Sequence, residues 1–389
     1  MSNFDKKTNR LKTNCYKWDL MDDGVLPFWV ADMDFEISDA IFEGFKKRIE
    51  HKIFGYTMLG DDFYSAYISW WDRRHHFKIE KDWILFSTGV VPSISSAIRR
   101  LSNVSNNVVV LTPVYNVFFN SIINNGREVL ESPLIYKDGN YFINFEDLES
   151  KLKDPETEIL LLCNPQNPSG RIWTRDELEK VGFLCKKYNV TVISDEIHCD
   201  LVDPNCEYIP FASVNETNKN ISVTCVSPTK TFNLAALQTS AVIIPNEYLR
   251  HKVDRGLNTD EVAEPNFLAA IVPHLAFDLS EGWLNELREY IFENKKIVRK
   301  FFEKELPEIP VINGGATYLM WLDCSKICKN SAELNDFLKN NAKIYLNAGN
   351  IYGKNGDGFL RMNVATQREN VFEGLRRFKK GIKMYLENK

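Results

Sequence analysis

Short apolar runs set the strongest constraint on how this chain can fold: Val108 to Leu111, Ile159 to Cys163, Val190 to Ser194 and Ile221 to Val226. Each is rich in β-branched residues and ends in turn chemistry, and helical patterns such as Arg175 to Tyr188 fill the spaces between them. A strand that reads apolar along its length is covered on both faces, so the pattern predicts a mostly parallel sheet between layers of helix, an α/β fold. Trp83 to Phe86 and Ala241 to Ile244 extend the set.

Five of these strands run into chemically loaded turns. These are Ser87-Thr88-Gly89-Val90-Val91-Pro92, Thr112-Pro113-Val114-Tyr115, Asn164-Pro165-Gln166-Asn167-Pro168-Ser169-Gly170, Asp195-Glu196-Ile197-His198 and Ser227-Pro228-Thr229-Lys230-Thr231-Phe232-Asn233. In an open α/β sheet they share the carboxyl edge, where ligands bind.

Before that sheet, an irregular arm ends in Trp29-Val30-Ala31-Asp32-Met33-Asp34-Phe35, and helices are expected from Ser38, as N-cap, and from Asp61 to His76. After it, apolar residues at helical spacing predict a long amphipathic helix over Ser280 to Glu305. Strands over Tyr318 to Leu322 and Phe359 to Val364, with helices around Ser331 to Lys339 and Asn370 to Glu387, complete a smaller α+β unit. A length of 389 residues suits two such domains.

A net charge of −5 argues against a nucleic-acid surface. The eight cysteines show no CxxC pair and no zinc spacing, so they are expected to be reduced, with no metal site. Neither a signal peptide nor an apolar run long enough for a membrane helix is present, and the expected location is cytoplasmic.

Lys230 is the residue whose setting demands explanation. A lysine at the end of a buried strand, among hydroxyl side chains, suits an amine whose pKa is lowered by desolvation and which forms a Schiff base with a carbonyl cofactor. A pyridine-type cofactor makes further demands that the other turns can meet. Asp195 can hold a protonated ring nitrogen, although it can also simply cap the next helix. Asn167 and His198 can serve a phenolate oxygen, and Tyr115 a ring face. The amides of Val90 and Val91, with Ser227 and Thr229, can serve a phosphate. Arg361, flanked by apolar residues in its strand, is suited to clamp a substrate carboxylate.

Taken in order, the Asn164 to Gly170 turn, Asp195-Glu196 and the Ser227 to Asn233 turn resemble those of fold-type I pyridoxal-phosphate enzymes of the aminotransferase superfamily, over nearly the whole chain. The resemblance implies a large domain with a mostly parallel seven-stranded sheet and a smaller α+β domain, divided as 1–46 (arm and part of the small domain), 47–279 (cofactor domain) and 280–389 (interdomain helix and small domain). It also implies pyridoxal 5′-phosphate on Lys230, with Asp195 at the ring nitrogen, Asn167 at O3′ and Arg361 at the substrate carboxylate. Two departures stand out: His198 replaces a tyrosine and Gln238 an arginine of the aspartate-type aminotransferases.

The Trp29 to Phe35 segment and Asp195-Glu196-Ile197-His198-Cys199-Asp200-Leu201 closely resemble the MalY/PatB subfamily of cystathionine β-lyases. That implies a carbon–sulfur β-lyase acting on a small sulfur amino acid by α,β-elimination, with Ala31 at the substrate. It implies also a homodimer in which Tyr56 reaches the phosphate in the neighbouring subunit. The alternatives are an aminotransferase and, from a different class, a non-catalytic regulator on the same fold.

Overall fold

The computed structural model describes residues 2–388. Its central sheet has seven strands in the order Ile84–Ser87, Ser240–Ile243, Ser222–Val226, Thr191–Asp195, Thr157–Cys163, Asn107–Thr112, Glu128–Pro133. Ser240–Ile243 runs antiparallel to both of its neighbours, and the remaining pairs are parallel. The six other strands therefore point one way, and the five loaded turns do share one edge.

Apolar clusters cover both faces of the sheet. On one, the helix Val90–Leu101 packs Ile94, Ala97 and Ile98 against Val108, Val110, Ile159 and Ile193. On the other, Leu178, Val181 and Leu184 of the helix Arg175–Lys187 meet Val109, Leu160, Leu162 and Val192. Alternate residues of one strand thus feed opposite cores, as the period of two requires.

The predicted helices are present. Ser38 caps Asp39–Glu50 by accepting the Ile41 amide, and Asp61–His75 follows. Glu281–Glu305 buries Trp283, Leu284, Leu287, Ile291, Val298 and Phe302 along one stripe. Its last two turns join Met320, Leu322, Leu360 and Met362 of a three-stranded antiparallel sheet made by Leu319–Asp323, Phe359–Asn363 and Asn347–Ala348. Leu26 and Phe28 of the arm enter the same core, and Leu26–Pro27 pairs with Ile344–Tyr345.

Some expectations shift. Trp83 belongs to a 3-10 turn, Lys81–Trp83, ahead of its strand. The helix Ser331–Phe337 ends early and continues as a π turn, Leu338–Ala342. The strand Glu128–Pro133 escaped the sequence reading because it lies at the sheet edge and carries glutamates at 128 and 131 in place of an apolar run. Among the described residues, no helix is long and apolar enough to cross a membrane.

Candidate active site

Ser227 caps the one-turn helix Pro228–Thr231, which begins where the strand Ser222–Val226 ends. Proline at its first position forfeits no bond, because the first amides of a helix lack intrahelical acceptors. Lys230 projects from this turn, partly buried, and its Nζ donates to the Ala31 carbonyl at 2.6 Å. The Tyr318 hydroxyl donates to the same carbonyl at 3.0 Å. Asn233, at a left-handed φ of 58°, ties the turn to the arm: its Oδ1 accepts the Met33 amide, and its Nδ2 donates to the Met33 and Phe35 carbonyls.

Burial pushes the Lys230 ammonium below its ordinary value; Asp32 and Asp195 oppose that shift, and Arg361 adds to it. Asp195 closes the neighbouring strand. Burial raises its carboxyl to about 7, against the Ile197 amide that donates to it at 3.1 Å. That local bond is a turn-forming contact, and the charge of Lys230 also favours the ionised carboxylate. Glu196, equally buried, is a structural group: Tyr208, Ser194, Asn164 and the Phe211 amide all donate to it.

His198 lies buried beside these groups, its imidazole pushed down to about 3 by burial and by Lys230 and Arg361. It is neutral at ordinary pH, and its Nδ1 has no hydrogen-bond partner. Arg361 enters from the small sheet. Its Nη1 donates to Asn167 Oδ1 at 3.2 Å and its Nη2 to the Trp29 carbonyl at 2.8 Å, over the Tyr352 ring at 5.2 Å. Its Nε is buried and unpartnered. Because Asn167 Oδ1 is engaged, the amide presents its Nδ2 as a donor. Tyr115 is partly buried near Arg361 and Asp195, its phenol pushed up to about 12 by burial.

Val90 and Val91 open the helix Val90–Leu101, so their amides have no partner within it. Ser227 Oγ donates to the Thr239 carbonyl at 2.6 Å, which leaves it to accept from Thr229 Oγ1 at 2.7 Å. The Thr229 proton is thus used within the turn and the Ser227 proton on the Thr239 carbonyl, and serving a phosphate requires both to rotate. Gln238 is exposed at a left-handed φ of 51°. Tyr56 is fully exposed, with Ile53, Phe54 and Met58 exposed beside it, and lies outside the buried cluster of its own chain.

Several residues of the cluster carried no assigned role in the sequence reading. Asn363 Nδ2 donates to the Val30 and Asp32 carbonyls at 2.6 Å each, and Asn347 Nδ2 to the Trp29 carbonyl at 2.8 Å. An asparagine inside an apolar strand is a readable signal for such a clasp. Tyr318 and the accepting carbonyls leave none. Behind Ala31, Asp34 accepts from Lys17 and Arg10 at 2.8 Å and from Trp18 at 2.9 Å. Asp32 Oδ2 accepts from Arg10 at 2.6 Å, whereas its buried Oδ1 has no hydrogen-bond partner and stands 3.8 Å from Lys17 Nζ.

The family model for aminotransferase class I and II matches residues 25–378. The chain belongs to this family. Among its class I and II relatives, cystathionine beta-lyase PatB of Bacillus subtilis (strain 168) is 42% identical, over 98% of this chain and 100% of that protein. Protein MalY of Escherichia coli (strain K12) is 32% identical, over 96% and 97%. Cystalysin from Treponema denticola, solved with pyridoxal 5′-phosphate, matches with a TM-score of 0.96 at 33% identity, over 99% of each chain. The pyridoxal-phosphate-bound C–S lyase from Staphylococcus hominis, complexed with the inhibitor L-cycloserine, matches with a TM-score of 0.93 at 31% identity, over 98% of each.

Proposed function

We propose that this aminotransferase-family chain is a pyridoxal 5′-phosphate-dependent carbon–sulfur β-lyase that converts a sulfur amino acid of cystathionine or cysteine type, with water, to a thiol, pyruvate and ammonia. The observation that carries the cofactor assignment is the convergence of Lys230, Asp195 and His198 in one buried cluster, with His198 Nδ1 unpartnered. A buried polar nitrogen needs a partner, and a ligand oxygen can supply one. The choice of elimination over transamination rests on likeness to PatB and MalY.

In this reading Lys230 is the covalent attachment point, and Asp195 faces the ring nitrogen, where a carboxyl near 7 shares a proton readily. Asn167 Nδ2 and His198 hold O3′, Tyr115 lies on the ring face, and Val90, Val91, Ser227 and Thr229 hold the phosphate. Bound there, the cofactor supplies a sink for the electron pair left at the substrate Cα. Arg361 orients the substrate carboxylate, with Ala31 alongside, and the freed Lys230 amine takes the Cα proton. A homodimer is part of the proposal: Tyr56 of a second copy completes the phosphate site, consistent with its full exposure here. We place the protein in the cytoplasm and divide it at 1–46, 47–279 and 280–389; Leu26 and Phe28 of the arm share the small-sheet core, whereas the helix Asp39–Glu50 runs across the first boundary and buries Ile41 in the other core.

The test is pyruvate release from L-cystathionine, without any keto-acid acceptor, by wild type and by Lys230→Ala. Release by wild type alone is expected. Turnover only after 2-oxoglutarate is added would establish the aminotransferase instead.

A further inference from the structure

Five consecutive carbonyls of the arm, Trp29 to Met33, are each gripped by a side chain. Arg361 and Asn347 donate to Trp29 at 2.8 Å, Asn363 donates to Val30 and Asp32 at 2.6 Å, and Asn233 donates to Met33 at 3.1 Å. With its neighbours held, the Ala31 carbonyl is kept aimed at the cleft. It accepts from the Lys230 amine at 2.6 Å and from the Tyr318 hydroxyl at 3.0 Å. A carbonyl oxygen has two lone pairs and serves both donors at once.

The two donors differ in how firmly they are fixed. Tyr318 is fully buried, its ring edge-on to His198 with centroids 6.0 Å apart. Its own carbonyl accepts the Val364 amide at 2.8 Å, and the Thr317 amide before it donates to the Leu201 carbonyl at 2.6 Å. Burial pushes the phenol well above its ordinary value, so the hydroxyl stays a donor through the neutral range. Lys230 is the donor that leaves. When it joins an aldehyde, its nitrogen bonds to the aldehyde carbon, and the aldehyde oxygen departs as water with the two nitrogen protons. Were Lys230 the sole donor, that step would orphan the Ala31 carbonyl, which costs more than losing one bond of two.

We propose that Tyr318 is a positioning residue for Lys230: by keeping the Ala31 carbonyl satisfied and aimed into the cleft, it lets the lysine amine leave that carbonyl for the cofactor and return to it during turnover. The inference rests on the cofactor reading above.

The test measures, by equilibrium dialysis of cofactor-stripped full-length protein, the affinity for pyridoxal 5′-phosphate and for pyridoxine 5′-phosphate. The second ligand carries an alcohol in place of the aldehyde and does not bond to Lys230. Tyr318→Phe is expected to weaken the aldehyde about tenfold, equivalent to about 1.4 kcal/mol and within the range for an orphaned acceptor, and to leave the alcohol unchanged. In a Lys230→Ala background, Tyr318→Phe is expected to change neither ligand, because no donor then leaves Ala31 on binding. A merely structural role would weaken both ligands equally.

An undiminished preference for the aldehyde in Tyr318→Phe, or an equal loss for both ligands, would overturn the inference. Should Tyr318→Phe fail to fold, Tyr318→Met removes the same donor with a flexible side chain, and its aldehyde preference decides in the same way. Wild type that binds neither ligand, or shows no preference for the aldehyde, would refute the cofactor reading and this inference with it. A wild-type preference that survives loss of the hydroxyl would overturn the inference alone.

Discussion

Asp195 and His198 are buried a few residues apart and are displaced in opposite directions, the carboxyl up to about 7 and the imidazole down to about 3. Their effects on stability therefore oppose each other. Between about pH 4 and 6.5, folded Asp195 keeps a proton that the unfolded chain has lost, so rising pH weakens the fold. In the same window folded His198 lacks a proton that the unfolded chain carries, so rising pH strengthens it. Each contributes a slope of about 1.4 kcal/mol per pH unit, and the two cancel. In cofactor-free protein, Asp195→Asn should thus gain stability with pH relative to wild type over this range, and His198→Asn should lose it. Urea unfolding at several pH values checks this, and parallel profiles for all three proteins would refute it.

At the scale of elements, the phosphate site depends on where the helix Val90–Leu101 points, and that helix is braced from outside by Glu247–Thr259. Gly256 makes the close crossing possible, since a Cβ there would lie 2.6 Å from Arg100 Cγ and 2.7 Å from Ser96 Oγ. Gly256→Leu is expected to cost roughly 1–3 kcal/mol through overpacking and to weaken cofactor retention by tilting the first turn. Gly282→Ala, in open space within the first turn of a helix, should leave cofactor retention unchanged and cost no stability. Calorimetry together with dialysis against cofactor-free buffer distinguishes them. The bracing helix and the edge strand Glu128–Pro133 were among the parts the sequence hid, because each carries charges on its solvent side and shows only a thin apolar stripe. What was legible was buried on two sides: the apolar strand runs, the turns that end them, and the long stripe of Glu281–Glu305. Lys230, Asp195, Asn167, His198 and Arg361 were findable because polar residues at the ends of such strands, or inside them, need partners. The Asp32 cluster was hidden because Arg10 and Lys17 sit in a stretch without helix or strand periodicity, where a buried lysine looks like any solvated one.

For the whole molecule, the exposed Ile53, Phe54, Tyr56 and Met58 make an apolar segment outside any helix or strand, consistent with the proposed second copy covering it. If sites are shared, mixing two inactive proteins rebuilds one sound site per hybrid dimer. Lys230→Ala combined with Tyr56→Ala, each nearly silent alone, should recover up to about a quarter of wild-type turnover after unfolding and refolding in equal amounts, since random pairing makes about half the dimers hybrids with one intact site of two. Recovery absent from a mixture that sediments as dimers would show that each chain is self-sufficient. The clasp on the arm has a different consequence. Lys230 meets Ala31 across 199 residues, and Arg361 meets Trp29 across 332. A ribosome releases the arm early and the strand that grips it close to the end of translation. Until Phe359–Asn363 emerges, the nascent chain has the lysine but neither Arg361 nor Asn363 to close the cleft around it. Finishing the polypeptide and closing the arm over Lys230 therefore come together in the life of the molecule.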